Sequence, residues 1–222
     1  MAVEPSLIAG YSCAVFDCDG VILDSNPIKI EAFRVALADE DPTLVEQLIA
    51  EHRATGGVSR YAKLDRFYRK IRPLQPGEDP AGLARTAAQR FAKSARLGLQ
   101  TCPEVVGARE ALQGFADRRV TVHVISGGDQ DEVRATLEAR GLAELVTGIH
   151  GSPTTKEAHL DRLFDEGELF PGGVYFGDAE LDMVLAEDFG LEFVFVAGVS
   201  DWAEGRTVAA GRGHRIIEDF GG

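Results

Sequence analysis

Asp17-Cys18-Asp19-Gly20 sets two carboxylates one residue apart, directly after the apolar run Cys13-Ala14-Val15-Phe16. Carboxylates in such a place are costly to bury unless a cation or a reaction uses them. Asp-Gly is also an ordinary turn dipeptide, so the tetrapeptide alone does not choose. Three further places carry polar groups of the same theme: Ser126-Gly127-Gly128, Lys156, and Gly177-Asp178 with Asp182 four residues on. One carboxylate can attack phosphorus and form an aspartyl-phosphate. A second can protonate the leaving oxygen and later activate water. Asp17 and Asp178 suit Mg²⁺, which takes one or two carboxylates together with substrate phosphate. Ser126 and the amides of Gly127 and Gly128 can hold phosphate oxygens, and Lys156 adds a compact positive charge. The set as a whole describes phosphoryl transfer.

The surrounding pattern says how such residues could meet. Cys13 to Phe16 reads as a buried parallel strand. From Ser25 to Arg96 the sequence is helical and polar, interrupted at Asp41-Pro42, at Gly56-Gly57 and in a Pro/Gly-rich stretch from Pro73 to Gly82. Pro27 suits a first helical turn, and Gly98 to Pro103 reads as a return linker. Thereafter strands and helices alternate. A helix is expected over Glu104–Phe115, a strand over Val120–Ile125, a helix over Asp129–Arg140 and a short strand over Leu145–His150. Thr154-x-x-Glu157 has the form of a capping box opening a helix to about Phe164. A strand over Gly173–Phe176, a helix over Ala179–Phe189, a strand over Leu191–Val196 and an edge strand at Arg215-Ile216-Ile217 complete the pattern. Alternating units of this kind imply a doubly wound parallel α/β sheet. Its strand ends share one edge, so Asp17, Asp19, Ser126 and Asp178 can converge there. The expected division is a core of residues 1–24 and 97–222 and an inserted α-helical cap of residues 25–96.

A net charge of −13 over 222 residues argues against nucleic acid or an anionic membrane as partner. It also requires that positive charge for an anionic substrate be supplied locally. The three cysteines lack metal-ligand spacing, and their odd number suits a reducing compartment. Met1 to Gly10 lack the basic start and apolar stretch of a leader, and no apolar run reaches the roughly 20 residues of a bilayer span. A cytoplasmic chain, monomeric or in a small homo-oligomer, is expected.

Read together, Val15-Phe-Asp-Cys-Asp-Gly-Val-Ile-Leu-Asp24-Ser25, Val124-Ile-Ser126, Lys156 and Gly177-Asp-Ala-Glu-Leu-Asp182 resemble the haloacid dehalogenase-like hydrolase superfamily. The resemblance covers the whole chain, because the insertion sits where subclass I members carry a C1-type helical cap. It implies that Asp17 is nucleophile and Mg²⁺ ligand, and that Asp19 is general acid/base with its backbone carbonyl on the metal. It implies that Ser126 and Lys156 bind and stabilise the phosphoryl group. Asp178 is then a further metal ligand, and Asp182 orients metal-bound water or Lys156. A second aspartate at position 19 points to phosphate chemistry, because the superfamily's dehalogenases lack it. Many relatives have Lys-Pro at the third motif, whereas here Pro153-Thr-Thr precedes Lys156-Glu157.

In the insertion, Gly56-Gly57-Val58-Ser59-Arg60-Tyr61-Ala62-Lys63 reads on its residues as an interhelical loop, with Ser59 capping the next helix. It resembles the Gly-x-Ser-Arg cap loop of β-phosphoglucomutase and related sugar phosphatases, which gives Arg60 and Lys63 a part in substrate binding. Asn26 and Lys29 are further substrate-binding candidates. The expected activity is Mg²⁺-dependent hydrolysis of a small phosphorylated metabolite, such as a sugar phosphate. A β-phosphoglucomutase-like sugar phosphomutase and a non-catalytic phosphate-binding module are the alternatives.

Overall fold

Residues 7–221 are described in a computed structural model; the first six residues of the stretch read for a leader lie outside them. Six strands form one parallel sheet: β1 (Cys13–Phe16), β2 (Thr121–Asp129), β3 (Gly148–Ser152), β4 (Val174–Gly177), β5 (Glu192–Val196) and β6 (Arg215–Ile217). Their order is β3-β2-β1-β4-β5-β6, so the winding reverses between β1 and β4. Doubly wound sheets open a crevice at that reversal, beyond the strand C-termini.

Alternation along the strands divides the core in two. Ala14, Phe16, Val122, Val124, Val174 and Phe176 face one way, onto α5 (Ala108–Asp117) and α6 (Gln130–Ala139). Cys13, Val15, Tyr175, Phe193 and Phe195 face the other way, onto α7 (Lys156–Asp165), α8 (Glu180–Asp188) and α9 (Gly205–Gly211). Phe16 stacks on Phe176 at 4.5 Å between centroids and meets Phe115 edge-on at 5.8 Å. Those contacts tie β1 to β4 below the crevice.

Four helices intervene between β1 and α5: α1 (Asn26–Ala36), α2 (Pro42–Ala54), α3 (Arg60–Arg66) and α4 (Pro80–Thr101). They bury a core of their own around Phe33, Leu48, Leu64, Phe67 and Phe91. Proline opens α1, and Asp41 caps α2 by accepting from Thr43 N at 2.7 Å. Ser59 caps α3 as the sequence leads one to expect, accepting from Ala62 N at 3.3 Å. A π-helical turn, Phe67–Ile71, follows α3. The two passages of chain into this unit are stitched together. Asp24 N donates to the Pro103 carbonyl at 3.0 Å and Val105 N to the Ile22 carbonyl at 2.9 Å.

Several boundaries differ from the sequence reading. The helix expected over Glu104–Phe115 begins only at Ala108, because Glu104 is drawn into an antiparallel bridge with Leu23. The expected return linker is mostly helix. Gly98 stays within α4 because α1 crosses there, and a Cβ would lie 2.7 Å from Ile28 Cγ2. The third strand lies over Gly148–Ser152 rather than Leu145–His150, the chain turning first through a 3-10 helix at Ala143–Leu145. The helix cap is Thr155, which accepts from Ala158 N at 3.2 Å, so a Thr154/Glu157 capping box does not form. The helix α9 was not foreseen. Among the described residues no helix is long and apolar enough to cross a membrane.

Candidate active site

The crevice floor is set by strand register. Asp17 follows β1 immediately and is fixed by its own amide, which donates to the Phe176 carbonyl of β4 at 2.9 Å. Its Oδ1 accepts from Cys18 N at 2.7 Å and faces Lys156 Nζ at 2.9 Å. Lys156, first residue of α7, also donates to Asp182 Oδ1 at 2.6 Å, and Tyr175 OH donates to the same oxygen at 3.0 Å. Asp182 is fully buried, and its Oδ2 has no partner.

Asp178 completes the floor. Asn26 Nδ2 donates to its Oδ2 at 3.1 Å and to the Val199 carbonyl at 3.2 Å. Gly20, at φ +74°, lies against it, and a Cβ there would come within 2.1 Å of Asp178 Oδ2. Asp17, Asp178 and Asp182 each offer an oxygen within 4.8 Å of the others. Burial, followed by the charges of Asp17 and Asp182, pushes the Asp178 carboxyl well above the carboxylate range. Burial likewise pushes Asp17 up, against the pull of Lys156. Lys156 goes the other way. Burial favours its neutral form, but Asp17 and Asp182 outweigh that and hold it well above the usual lysine value. Three buried carboxylates thus share one ammonium, and a divalent cation with oxygen ligands fits the deficit. The cluster contains Asp182, expected only to orient metal-bound water or Lys156, and not the Asp19 carboxyl group, since Asp19 is expected to offer the metal its backbone carbonyl.

That carboxyl group turns elsewhere. Asp19 is ion-paired with Lys29 and accepts from Ser25 Oγ at 2.5 Å and Ser126 Oγ at 3.3 Å. Burial would raise it, but the charge and hydrogen bond of Lys29, with the bond from Ser25, hold it below its ordinary value. Ser126 Oγ also accepts from Gly128 N at 3.0 Å, so that amide is engaged within the turn. Lys29 stands beside the turn as well, 3.7 Å from where a Cβ on Gly128 would lie. Asp17, Asp19, Lys29, Ser126, Lys156, Asp178 and Asp182 are therefore gathered in one place.

The inserted helices roof this floor. The Gly56-Gly57 loop presses onto the sheet edge: a Cβ at Gly56 would lie 2.6 Å from Ala179 Cβ, and one at Gly127 would lie 2.1 Å from the Gly57 carbonyl oxygen. Between roof and floor is a cleft partly open to solvent. Arg60 lines it, but its guanidinium is taken: Nη2 donates to Glu132 Oε1 of α6 at 2.9 Å and Nη1 to Oε2 at 2.5 Å. Lys63 does not reach the cleft. Its ammonium donates to the Thr55 carbonyl at 2.8 Å beyond the end of α2 and lies 2.7 Å from His52 Nδ1. Burial and the nearby Lys29 lower it to about 7.

Residues that sequence reasoning passed over also line the cleft: Phe33, His52, Phe91, Leu99, Thr136 and Trp202. Phe33 reads only as one face of a helix, and nothing in its spacing separates a cleft wall from a core. Tyr175 had a signal, being a hydroxyl in an otherwise apolar strand, and the hydroxyl finds Asp182.

The fold has well-matched counterparts. A predicted phosphoglycolate phosphatase from Haemophilus somnus 129pt superposes with a TM-score of 0.71 at 17% identity, covering 95% of each chain. A hydrolase from Pseudomonas syringae gives 0.72 at 20% identity over 94% of each chain. CbbY from Rhodobacter sphaeroides, in complex with phosphate, gives 0.70 at 19% identity over 95% of each chain. A mutant of CbbY has been seen with xylulose-(1,5)bisphosphate, and matches with a TM-score of 0.70 at 17% identity over 95% of each chain. At these identities the likeness is one of fold. Compared with curated protein sequences, the chain matches none. The family model for haloacid dehalogenase-like hydrolases matches residues 14–196, from the first strand through the fifth, and the chain belongs to that family.

Proposed function

We propose that the protein is a Mg²⁺-dependent phosphatase that hydrolyses a small phosphomonoester through an aspartyl-phosphate on Asp17. The observation that carries this reading is the meeting of Asp17, Asp178 and Asp182 around a single lysine, with Asp19 and Ser126 alongside. Asp17, Asp178 and the unpartnered oxygen of Asp182 would hold the cation, directly or through water, together with the Asp19 backbone carbonyl. Mg²⁺, when bound, offsets negative charge so that an anionic carboxylate can approach an anionic phosphate.

The chain's own groups divide the remaining work. Asp17 Oδ1 is held by Lys156 and the Cys18 amide, which leaves Oδ2 to attack phosphorus. As the new P–O bond forms, the ester P–O bond breaks and the leaving oxygen takes a proton from Asp19. Water then gives a proton to Asp19 and attacks the phosphorus, which frees the Asp17 carboxylate and releases phosphate. Asp19 must be protonated for the first half and ionised for the second. Lys29 stands beside both Asp19 and the Ser126–Gly128 turn, so phosphoryl oxygens held at that turn draw its charge from Asp19. Residues 25–96 act as the cap, whose closure over the floor excludes water during attack. A cytoplasmic setting fits the three buried free cysteines.

The test is phosphate release from p-nitrophenyl phosphate with and without Mg²⁺. Turnover is expected with the metal and is expected to vanish in EDTA. Asp17→Asn is expected to lose turnover while its circular dichroism matches that of the parent. Substantial activity in Asp17→Asn rules out this mechanism.

A further inference from the structure

Beyond its charged floor the cleft has a chemistry of its own. Phe33, Phe91, Leu99 and Val133 give it an apolar wall, with Thr136 and His52 as uncharged polar groups. Burial, then the charges of Lys63 and Lys29, pushes the His52 imidazole down to about 3, so it stands there neutral.

The charges lining the cleft beyond that floor are already answered from within the protein. Arg60, with a side chain only 8% exposed, makes two parallel hydrogen bonds to Glu132 and lies 3.8 Å from Asp129. Tyr61 OH donates to Asp129 at 2.7 Å. Arg53, at the mouth, faces Asp201 at 4.0 Å. Two arginines therefore stand against three carboxylates; Lys63 is turned onto the end of α2, and Lys29, the other cation lining the cleft, is paired with Asp19. A second phosphate or a carboxylate on the substrate would have to take Arg60 from Glu132. That would leave the Glu132 carboxylate, 30% exposed, without its partner and set two anions side by side.

We propose that the leaving alcohol carries no negative charge: the substrate is the phosphomonoester of an uncharged alcohol with an apolar face, and Glu132 excludes a second anionic group by holding Arg60. This rests on the phosphatase reading and narrows it. The site then disfavours bisphosphates and phospho-acids, although folds of the same kind have been seen with such a ligand.

Three esters of one chain length separate the possibilities: 4-phosphooxybutanamide, 4-phosphooxybutanoate and butane-1,4-diol bisphosphate. Each is measured for phosphate release and as a competitor of p-nitrophenyl phosphate hydrolysis, so the order is read even where turnover is slow. The amide is expected to be favoured over the carboxylate and the bisphosphate by about tenfold or more in kcat/KM or in inhibition constant. A preference under about threefold, or an inverted one, overturns the proposal and leaves the phosphatase reading standing. Failure to hydrolyse p-nitrophenyl phosphate or any of the three esters overturns both. Glu132→Gln keeps the side chain's shape and removes its charge. It is expected to narrow the amide preference at least about fivefold, chiefly through a lower KM for the carboxylate ester. An equal change for the amide and the carboxylate overturns the role given to Glu132.

Discussion

Two lysines, one in the floor of the cleft and one in its roof, are buried almost equally, Lys156 at 3% exposure and Lys63 at 5%. Lys156 meets the carboxylates of Asp17 and Asp182 and is held charged. Lys63 meets a helix-end carbonyl and the ring of His52, and its pKa falls to about 7. Burial penalises both ammonium groups, so the neighbours decide the sign. The floor concentrates charge that its own residues leave uncompensated, whereas the roof lysine finds its partners, a carbonyl and a ring, within the roof. A region built the first way calls for a ligand, and one built the second way holds a shape.

Substitution at the two lysines should separate these roles. The largest effect is expected from Lys156→Met. It leaves Asp17 and Asp182 buried without their shared cation, and it should reduce turnover by about 10³-fold and destabilise the fold by about 3 kcal/mol in denaturant titration. Activity near that of the parent would erase the distinction drawn for the floor. Next in size is Gly127→Ala, whose Cβ would meet the Gly57 carbonyl at 2.1 Å. A roof displaced on that scale should lower kcat/KM by about 100-fold, while thermal unfolding stays close to the parent's. Unchanged kinetics would show that the loop contact has no part in closure.

The smallest effect is expected at Lys63→Met, with activity within about twofold of the parent and stability changed by about 1 kcal/mol or less at pH 7. Its pH dependence sharpens the comparison. Lys63 has a folded pKa of about 7 against an ordinary value of 10.5, so between those limits the unfolded chain binds more protons. The parent should therefore gain stability relative to Lys63→Met as pH rises through that window, by about 10 °C in Tm. A difference that stays flat from pH 7 to pH 10 would place Lys63 in contact with solvent or with an acid.

Much of the floor was legible because strands carry their own address. An apolar run ending in Asp17, and another ending in Gly177-Asp178, put their next residues at one sheet edge whatever the helices do. The roof was less legible, since helical spacing identifies a buried face without saying what buries it. Arg60 and Lys63 lie three residues apart on α3, yet one reaches α6 and the other the end of α2. Arg60 and Glu132 are separated by 72 positions, and each reads locally as a charge near a helix start. Asp19 was legible as a second carboxylate, but the grip of Lys29 required knowing how α1 leaves the floor. Glu104 was misread for a similar reason: its helical pattern yields to a backbone pairing with Leu23 that only the passage into the roof creates.

Gly20 makes a missing atom part of the chemistry. With φ at +74° and Asp178 Oδ2 in the space a Cβ would fill, the chain at this position works as a mould for a carboxylate. A single methyl group there would displace Asp178, so the smallest substitution available to Gly20 acts as the deletion of an acid that keeps its place in the sequence. Tolerance to mutation in this loop is therefore set by where neighbouring oxygens must sit, and a residue with no side chain is bound as tightly as the acids it adjoins.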